Sequence, residues 1–167
     1  MSKSITIIRH AKSSWKSAAG DHQRPLNERG CVDAGLIGGF LAQNSLSFDG
    51  VYCSDAKRAQ QTLQILNASL NIDKQKLYYN DQLYLAELSQ LLAIINELPS
   101  SKQNIVLLGH NPGLTMLCNY IANDNLDNLP TCGVCSLALH VDDWRAVDQG
   151  VGTQTLYCTP RILKEEN

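Results

Sequence analysis

A chain of 167 residues with 44% hydrophobic and 18% charged side chains fits one globular domain over residues 1–167 and excludes a disordered or fibrous polypeptide. Its net charge is -2 and its 14 Lys and Arg residues are dispersed, so no nucleic-acid partner is expected. No apolar run approaches the roughly 18 residues that span a bilayer, so no membrane partner is expected either.

The elements read in chain order as alternating strands and helices. Ile5 to Ile8 is an apolar run that predicts a buried strand, and it ends at Arg9 and His10. A helix follows, with Val32, Leu36, Gly39 and Phe40 on one face. Gly35, Gly38 and Gly39 crowd that helix, where glycine costs stability unless another element packs closely. Close packing is the expectation there, because no phosphate-cradling glycine pattern is present. Val51 to Cys53 predicts a second strand that runs through Ser54 into a helix with Ala56, Ala59, Leu63, Leu66 and Leu70 on one face. Leu88, Leu91, Leu92 and Ile95 form the stripe of a third helix, which stops before Pro99. Ile105 to Leu108 predicts another strand, leading through Gly109 to His110 and then to a helix with Leu114, Leu117, Cys118 and Ile121 aligned. Leu137, Leu139 and Val141 alternate with other residues, and Gln154 to Cys158 is a further strand; the two predict an antiparallel edge joined by a turn around Asp142 to Gly152. The last five residues read as a frayed tail.

This order predicts an α/β fold: a three-layer α/β/α sandwich with a mostly parallel central sheet and an antiparallel edge. Six cysteines are scattered along the chain, several in apolar runs where a free thiol packs as a small hydrophobe. The pattern suits a reducing compartment, and a cytoplasmic location is the expectation. Cys132 and Cys135 form a single C-x-x-C pair inside a strand-like segment, which predicts packed or exposed free thiols and no metal.

Ligands of an open parallel sheet bind outside the carboxyl ends of the strands. Three expected strands end there on Arg9 and His10, on Ser54 before a helix bearing Arg58, and on His110. Two histidines with two arginines make an anion site that contains a nucleophile. Arginine offers a planar fork that fits phosphate oxygens in pairs, and Arg58 falls in the first turn of its helix, where free N–H groups add positive potential. His22 and His140 lack such a setting and read as structural.

These residues resemble the histidine phosphatase superfamily, and within it the small SixA-type phosphohistidine phosphatases. Arg9-His10-Ala11 resembles the family's Arg-His-Gly signature, with Trp15 where a tryptophan often follows. Arg24-Pro25-Leu26 through Gly30 resembles its R-P-L-x-x-x-G segment, and Ser54 through Thr62 its S-P-x-x-R-A-x-x-T segment. Gly109-His110-Asn111-Pro112-Gly113 resembles the G-H-N-P-x block of the SixA-type branch, and Pro130-Thr131 the start of its late strand. The resemblance implies a phosphoglycerate mutase-like fold, His10 as a nucleophile that carries the phosphoryl group, and Arg9, Arg58 and His110 as ligands of its oxygens. No cofactor is implied, since arginine and histidine already supply the positive charge.

The chain also departs from the family's pattern. Larger acid phosphatases place an aspartate after the second histidine, where this chain has Asn111. Asp81-Gln82-Leu83-Tyr84 resembles a shortened form of the mutases' glutamate segment, which makes Asp81 a candidate proton donor against the reading of a solvated loop carboxylate; Glu87 is a second candidate. Lys12, Lys16 and Arg24 are candidate substrate contacts, with a solvated basic loop as the competing reading. The expected partner is a phosphorylated protein or a small phosphorylated molecule. Phosphohistidine on a signalling protein is the first substrate expectation, since an imidazole leaves more easily than an alkoxide. A phosphoester metabolite, or a weakly catalytic phospho-ligand binder, is the alternative.

Overall fold

The computed structural model describes residues 2–166. Among them, six strands form one sheet: β1 (Lys3–Arg9), β2 (Gly50–Ser54), β3 (Leu77–Asn80), β4 (Asn104–Gly109), β5 (Val134–Leu139) and β6 (Gly152–Cys158). Their spatial order is β3-β2-β4-β1-β5-β6. The first four of these in space run parallel, while β5 is antiparallel to β1 and β6 to β5. The helices are α1 (Glu28–Gln43), α2 (Lys57–Leu70), α3 (Leu88–Asn96), α4 (Gly113–Ala122) and α5 (Pro160–Glu165). The α/β class with an antiparallel edge is therefore the architecture observed. Among the described residues no helix is long and apolar enough to cross a membrane.

The continuous apolar runs of β1 and β4 follow from burial on both faces. Ile5, Ile7, Ile105 and Leu107 face a core shared with α3 and α4, whereas Ile8, Val106 and Leu108 face a core shared with α1 and α2. Each strand thus alternates between two hydrophobic layers with the period of the pleat.

Three expectations need correction. The buried side of α1 is Ala34, Ile37, Gly38 and Leu41, and Val32, placed in the apolar stripe with Leu36 and Phe40, is 60% exposed. α1 is apolar over much of its circumference, so its contact with α2 chooses the face. Of the three glycines only Gly38 is tightly packed: a Cβ there would lie 3.2 Å from the backbone of Leu66, while Gly35 and Gly39 have nothing within 4 Å. Where a frayed tail was expected, the described residues form α5, capped by the Thr159 hydroxyl and tied to α1 by Lys164 Nζ on Asp33 Oδ1 at 2.7 Å; Asn167 lies outside the described residues. Strand β3 lacked an apolar signature because it is a four-residue edge with Tyr78 and Tyr79 exposed.

Candidate active site

Sheet topology brings the expected residues to one place. β1 and β4 are paired in register from Ser4 with Asn104 to Arg9 with Gly109, so His10 and His110 leave the sheet side by side. Their ring centroids lie 5.1 Å apart. The guanidinium of Arg58, from the first turn of α2, bridges them: Nε donates to His10 Nε2 at 3.3 Å, and Nη2 lies 3.4 Å from His110 Nδ1. His10, Arg58 and His110 are all buried, at the base of a hollow of about 330 Å³ that Arg9, Lys12 and Arg24 also line.

Hydrogen bonds fix both imidazole tautomers. His10 Nδ1 is 2.7 Å from the Ala11 carbonyl, which can only accept, so the proton sits on Nδ1 and Nε2 keeps its lone pair. His110 receives Arg58 at Nδ1 and so donates from Nε2 to Ser54 Oγ at 2.8 Å. Burial, with Arg58, Arg9 and Arg24 added, lowers His10 from 6.5 to about 4, against the opposing bond to Ala11. Burial, then the charges of His10 and Arg58, lowers His110 to about 3. Near neutral pH both rings are uncharged, and the cationic character of the hollow comes from its arginines and Lys12.

The motif residues around this centre have mechanical duties. Thr62 Oγ1 accepts from the Ala11 amide at 2.9 Å and donates to the Arg58 carbonyl at 2.7 Å, joining the loop after His10 to α2. Asn27 caps α1 by accepting from Gly30 N at 2.8 Å, and a Cβ on Gly30 would fall 2.1 Å from the Lys12 carbonyl oxygen. Only glycine allows that approach of α1 to the loop beside His10. Leu129 O accepts from Arg9 Nη1 at 3.1 Å.

Asp21 was missed by sequence reasoning. Its carboxylate lies 3.1 Å from Arg58 Nη2 and 3.0 Å from Arg24 Nε, and it accepts from the Tyr84 hydroxyl. The Tyr84 bond, then Arg24 and Arg58, outweighs partial desolvation and holds Asp21 down at about 2, so it is ionised. The signal available was its position three residues before Arg24, in a loop without periodicity. Tyr84 and Ser54 were likewise inside quoted motifs without an assigned role.

The remaining candidates are placed differently. Arg24 is buried, its Nη1 donating to Ser13 Oγ at 2.6 Å and its guanidinium stacked 3.6 Å from the ring centre of the exposed Trp15. Lys12 lines the hollow, while Lys16 is exposed and lines an adjoining groove of about 760 Å³. Asp81 is exposed in the turn Asp81–Leu83, outside the residues that line the hollow, and Glu87 is the exposed N-cap of α3. Of the segment containing Asp81, Tyr84 reaches the site, with its ring edge-on to His110 at 5.5 Å. Asn111 turns its amide away to Asn128 Oδ1 and Leu129 O, both at 2.9 Å. Cys132 and Cys135 are buried free thiols, and burial pushes Cys132 up to about 12. A larger groove of about 680 Å³ between α2 and β3 is lined by glutamines, Lys57, Lys74 and Tyr79, whereas the histidines and arginines gather at the smaller hollow.

Comparison with known proteins agrees with this geometry. Residues 5–83 match the model of the histidine phosphatase superfamily, branch 1. An uncharacterized protein of Mycobacterium tuberculosis is 32% identical over 164 residues, covering 92% of this chain and all 100% of that one. A solved structure from Agrobacterium tumefaciens, assigned as the phosphohistidine phosphatase SixA, superposes with a TM-score of 0.82 at 25% identity over 96% of this chain and 99% of that one. The protein histidine phosphatase SixA complexed with tungstate superposes with a TM-score of 0.78 at 23% identity over the same share of each chain, 96% and 99%. The order of elements, the paired ends of β1 and β4, and these full-length likenesses lead to one assignment: the chain belongs to the histidine phosphatase superfamily.

Proposed function

We propose that this phosphatase removes the phosphoryl group from phosphorylated histidine on a signalling protein, by way of a phosphohistidine intermediate on His10. The observation that carries the reading is the pairing of an unprotonated His10 Nε2 with a hollow whose nearest acid, Asp21, is held ionised at about 2. Nε2 attacks phosphorus in line while the P–N bond to the substrate imidazole breaks, and Arg58 and Arg9 take up the charge spreading over the oxygens, while the neutral His110, its Nε2–H on Ser54, holds Arg58 through Nδ1. The substrate ring, protonated on its other nitrogen, leaves as neutral imidazole and needs no strong acid. An alkoxide leaving group would need one, and the position after His110 holds the amide of Asn111 with its bonds committed to Asn128 and Leu129. Water then attacks the phosphoenzyme, breaking the P–N bond to His10 and releasing inorganic phosphate. Lys12 and Arg24, on the wall of the hollow, are the substrate contacts in this reading, with Lys16 outside it.

The test incubates the protein with a phosphohistidine-bearing protein domain and with a panel of phosphoesters, measuring free phosphate and acid-labile label on the enzyme. Label and turnover on phosphohistidine that exceed those on every ester are expected, and His10→Ala should abolish both while keeping the circular dichroism of the wild type. Preferential turnover of an ester would replace the substrate. Full turnover by His10→Ala would overturn the mechanism.

A further inference from the structure

Asn111 occupies the position where an acid stands in the larger phosphatases, yet every polar atom of its side chain is used for something else. Nδ2 donates to Asn128 Oδ1 and to Leu129 O, both at 2.9 Å. Oδ1 accepts from the Thr115 amide at 3.1 Å and from the Thr115 hydroxyl at 2.9 Å. That hydroxyl in turn accepts from Leu129 N at 2.9 Å, so Asn111 and Thr115 grip both backbone groups of the fully buried Leu129.

The Leu129 carbonyl is also the acceptor for Arg9 Nη1, at 3.1 Å. Arg9 lines the hollow, and its Nε is buried and makes no hydrogen bond within the protein, so the Leu129 carbonyl is what anchors the guanidinium, at Nη1. The same loop holds the main chain of Arg9: its amide donates to the Gly133 carbonyl at 3.1 Å, and Cys132 N reaches both the Arg9 and His10 carbonyls at 3.0 Å.

We propose that Asn111 is a positioning residue for Arg9, fixing the Leu129 carbonyl that aims the guanidinium at the bound oxyanion. An amide suits this duty because it donates and accepts at once. An aspartate would offer no donor to Leu129 O and would set a charge against that carbonyl. The proposal rests on the function above for the identity of the oxyanion, but its test needs no turnover.

Orthovanadate affinity is measured by calorimetry for the wild type, Arg9→Ala, Asn111→Ala and the double variant. Arg9→Ala is expected to weaken binding about a hundredfold, by analogy with lost oxyanion donors, and Asn111→Ala about fivefold to tenfold through the misplaced arginine. The double variant should be no more than about twofold weaker than Arg9→Ala, since a residue acting through Arg9 has nothing left to position. Thr115→Val should reproduce the loss even if Asn111→Ala folds poorly, and Thr115→Ser, which keeps the hydroxyl, should restore affinity. Multiplying losses in the double variant, or wild-type affinity in Asn111→Ala and Thr115→Val, would overturn the role. So would a tenfold gain in phosphoester hydrolysis by Asn111→Asp, which would assign the position to acid catalysis. A wild type that shows the vanadate coupling but hydrolyses no phosphohistidine would sink the proposed substrate and leave the positioning role standing.

Discussion

Asp21 holds Arg58 by two routes: its carboxylate lies 3.1 Å from Nη2, and its main-chain carbonyl accepts Nη1 at 2.7 Å. The carboxylate therefore sits on a donor that a phosphoryl oxygen would use, while the backbone contact fixes the plane of the guanidinium without adding charge. Arg58→Ala should cost on the order of a hundredfold or more in kcat/KM. Asp21→Asn should instead tighten inhibition by inorganic phosphate about threefold to tenfold, because a neutral amide competes less for Arg58. Weaker inhibition in Asp21→Asn would mean that the carboxylate orients Arg58 more than it competes.

His10 and His110 are buried neutral, which links stability to pH. Both rings fall from 6.5 to about 4 and about 3 on folding, so between those values and 6.5 the unfolded chain binds more protons than the folded one. Their contribution is intact above pH 6.5, is lost as pH drops through the window, and levels off below the folded values. The loss amounts to on the order of a few kcal/mol for the pair. Urea unfolding at pH 7 and pH 4.5 should show His110→Gln losing less stability than the wild type across that interval. Parallel losses would count against the assignment.

Gly30 touches the loop beside His10 through its missing side chain. A Cβ placed 2.1 Å from the Lys12 carbonyl oxygen meets backbone and not a yielding side chain, so Gly30→Ala must push α1 and the loop apart. We expect a stability loss of about 1–3 kcal/mol, the range for overpacking, together with a fall in kcat from the displaced His10. Thermal melts and initial rates check both parts, and a variant unchanged in each would contradict the close approach.

Asp81 stands exposed outside the hollow. Asp81→Asn should leave phosphohistidine and phosphoester rates within about twofold of the wild type, as expected of a surface change. Selective slowing of ester cleavage would restore Asp81 as the proton donor.

The order of elements was readable because β1 and β4 carry unbroken apolar runs, a pattern that burial on both faces imposes. His10, Arg58 and His110 were readable because each follows a strand on the ligand edge. The face of α1 was not, because Val32 and Ile37 are both apolar and local periodicity cannot choose between them.

The sequence by itself determined the layered fold, the place of His10 at the end of β1 and the cations gathered with it, since strand periodicity and the carboxyl-end rule act locally. The tertiary structure alone decided that Asp21 reaches Arg58 across 37 positions, that Tyr84 reaches Asp21 across 63, and that the Asn111 amide bonds to Asn128 and Leu129. Those pairings depend on how loops from different strands meet above the sheet, and hydrogen-bond partners so far apart leave no periodic trace along the chain.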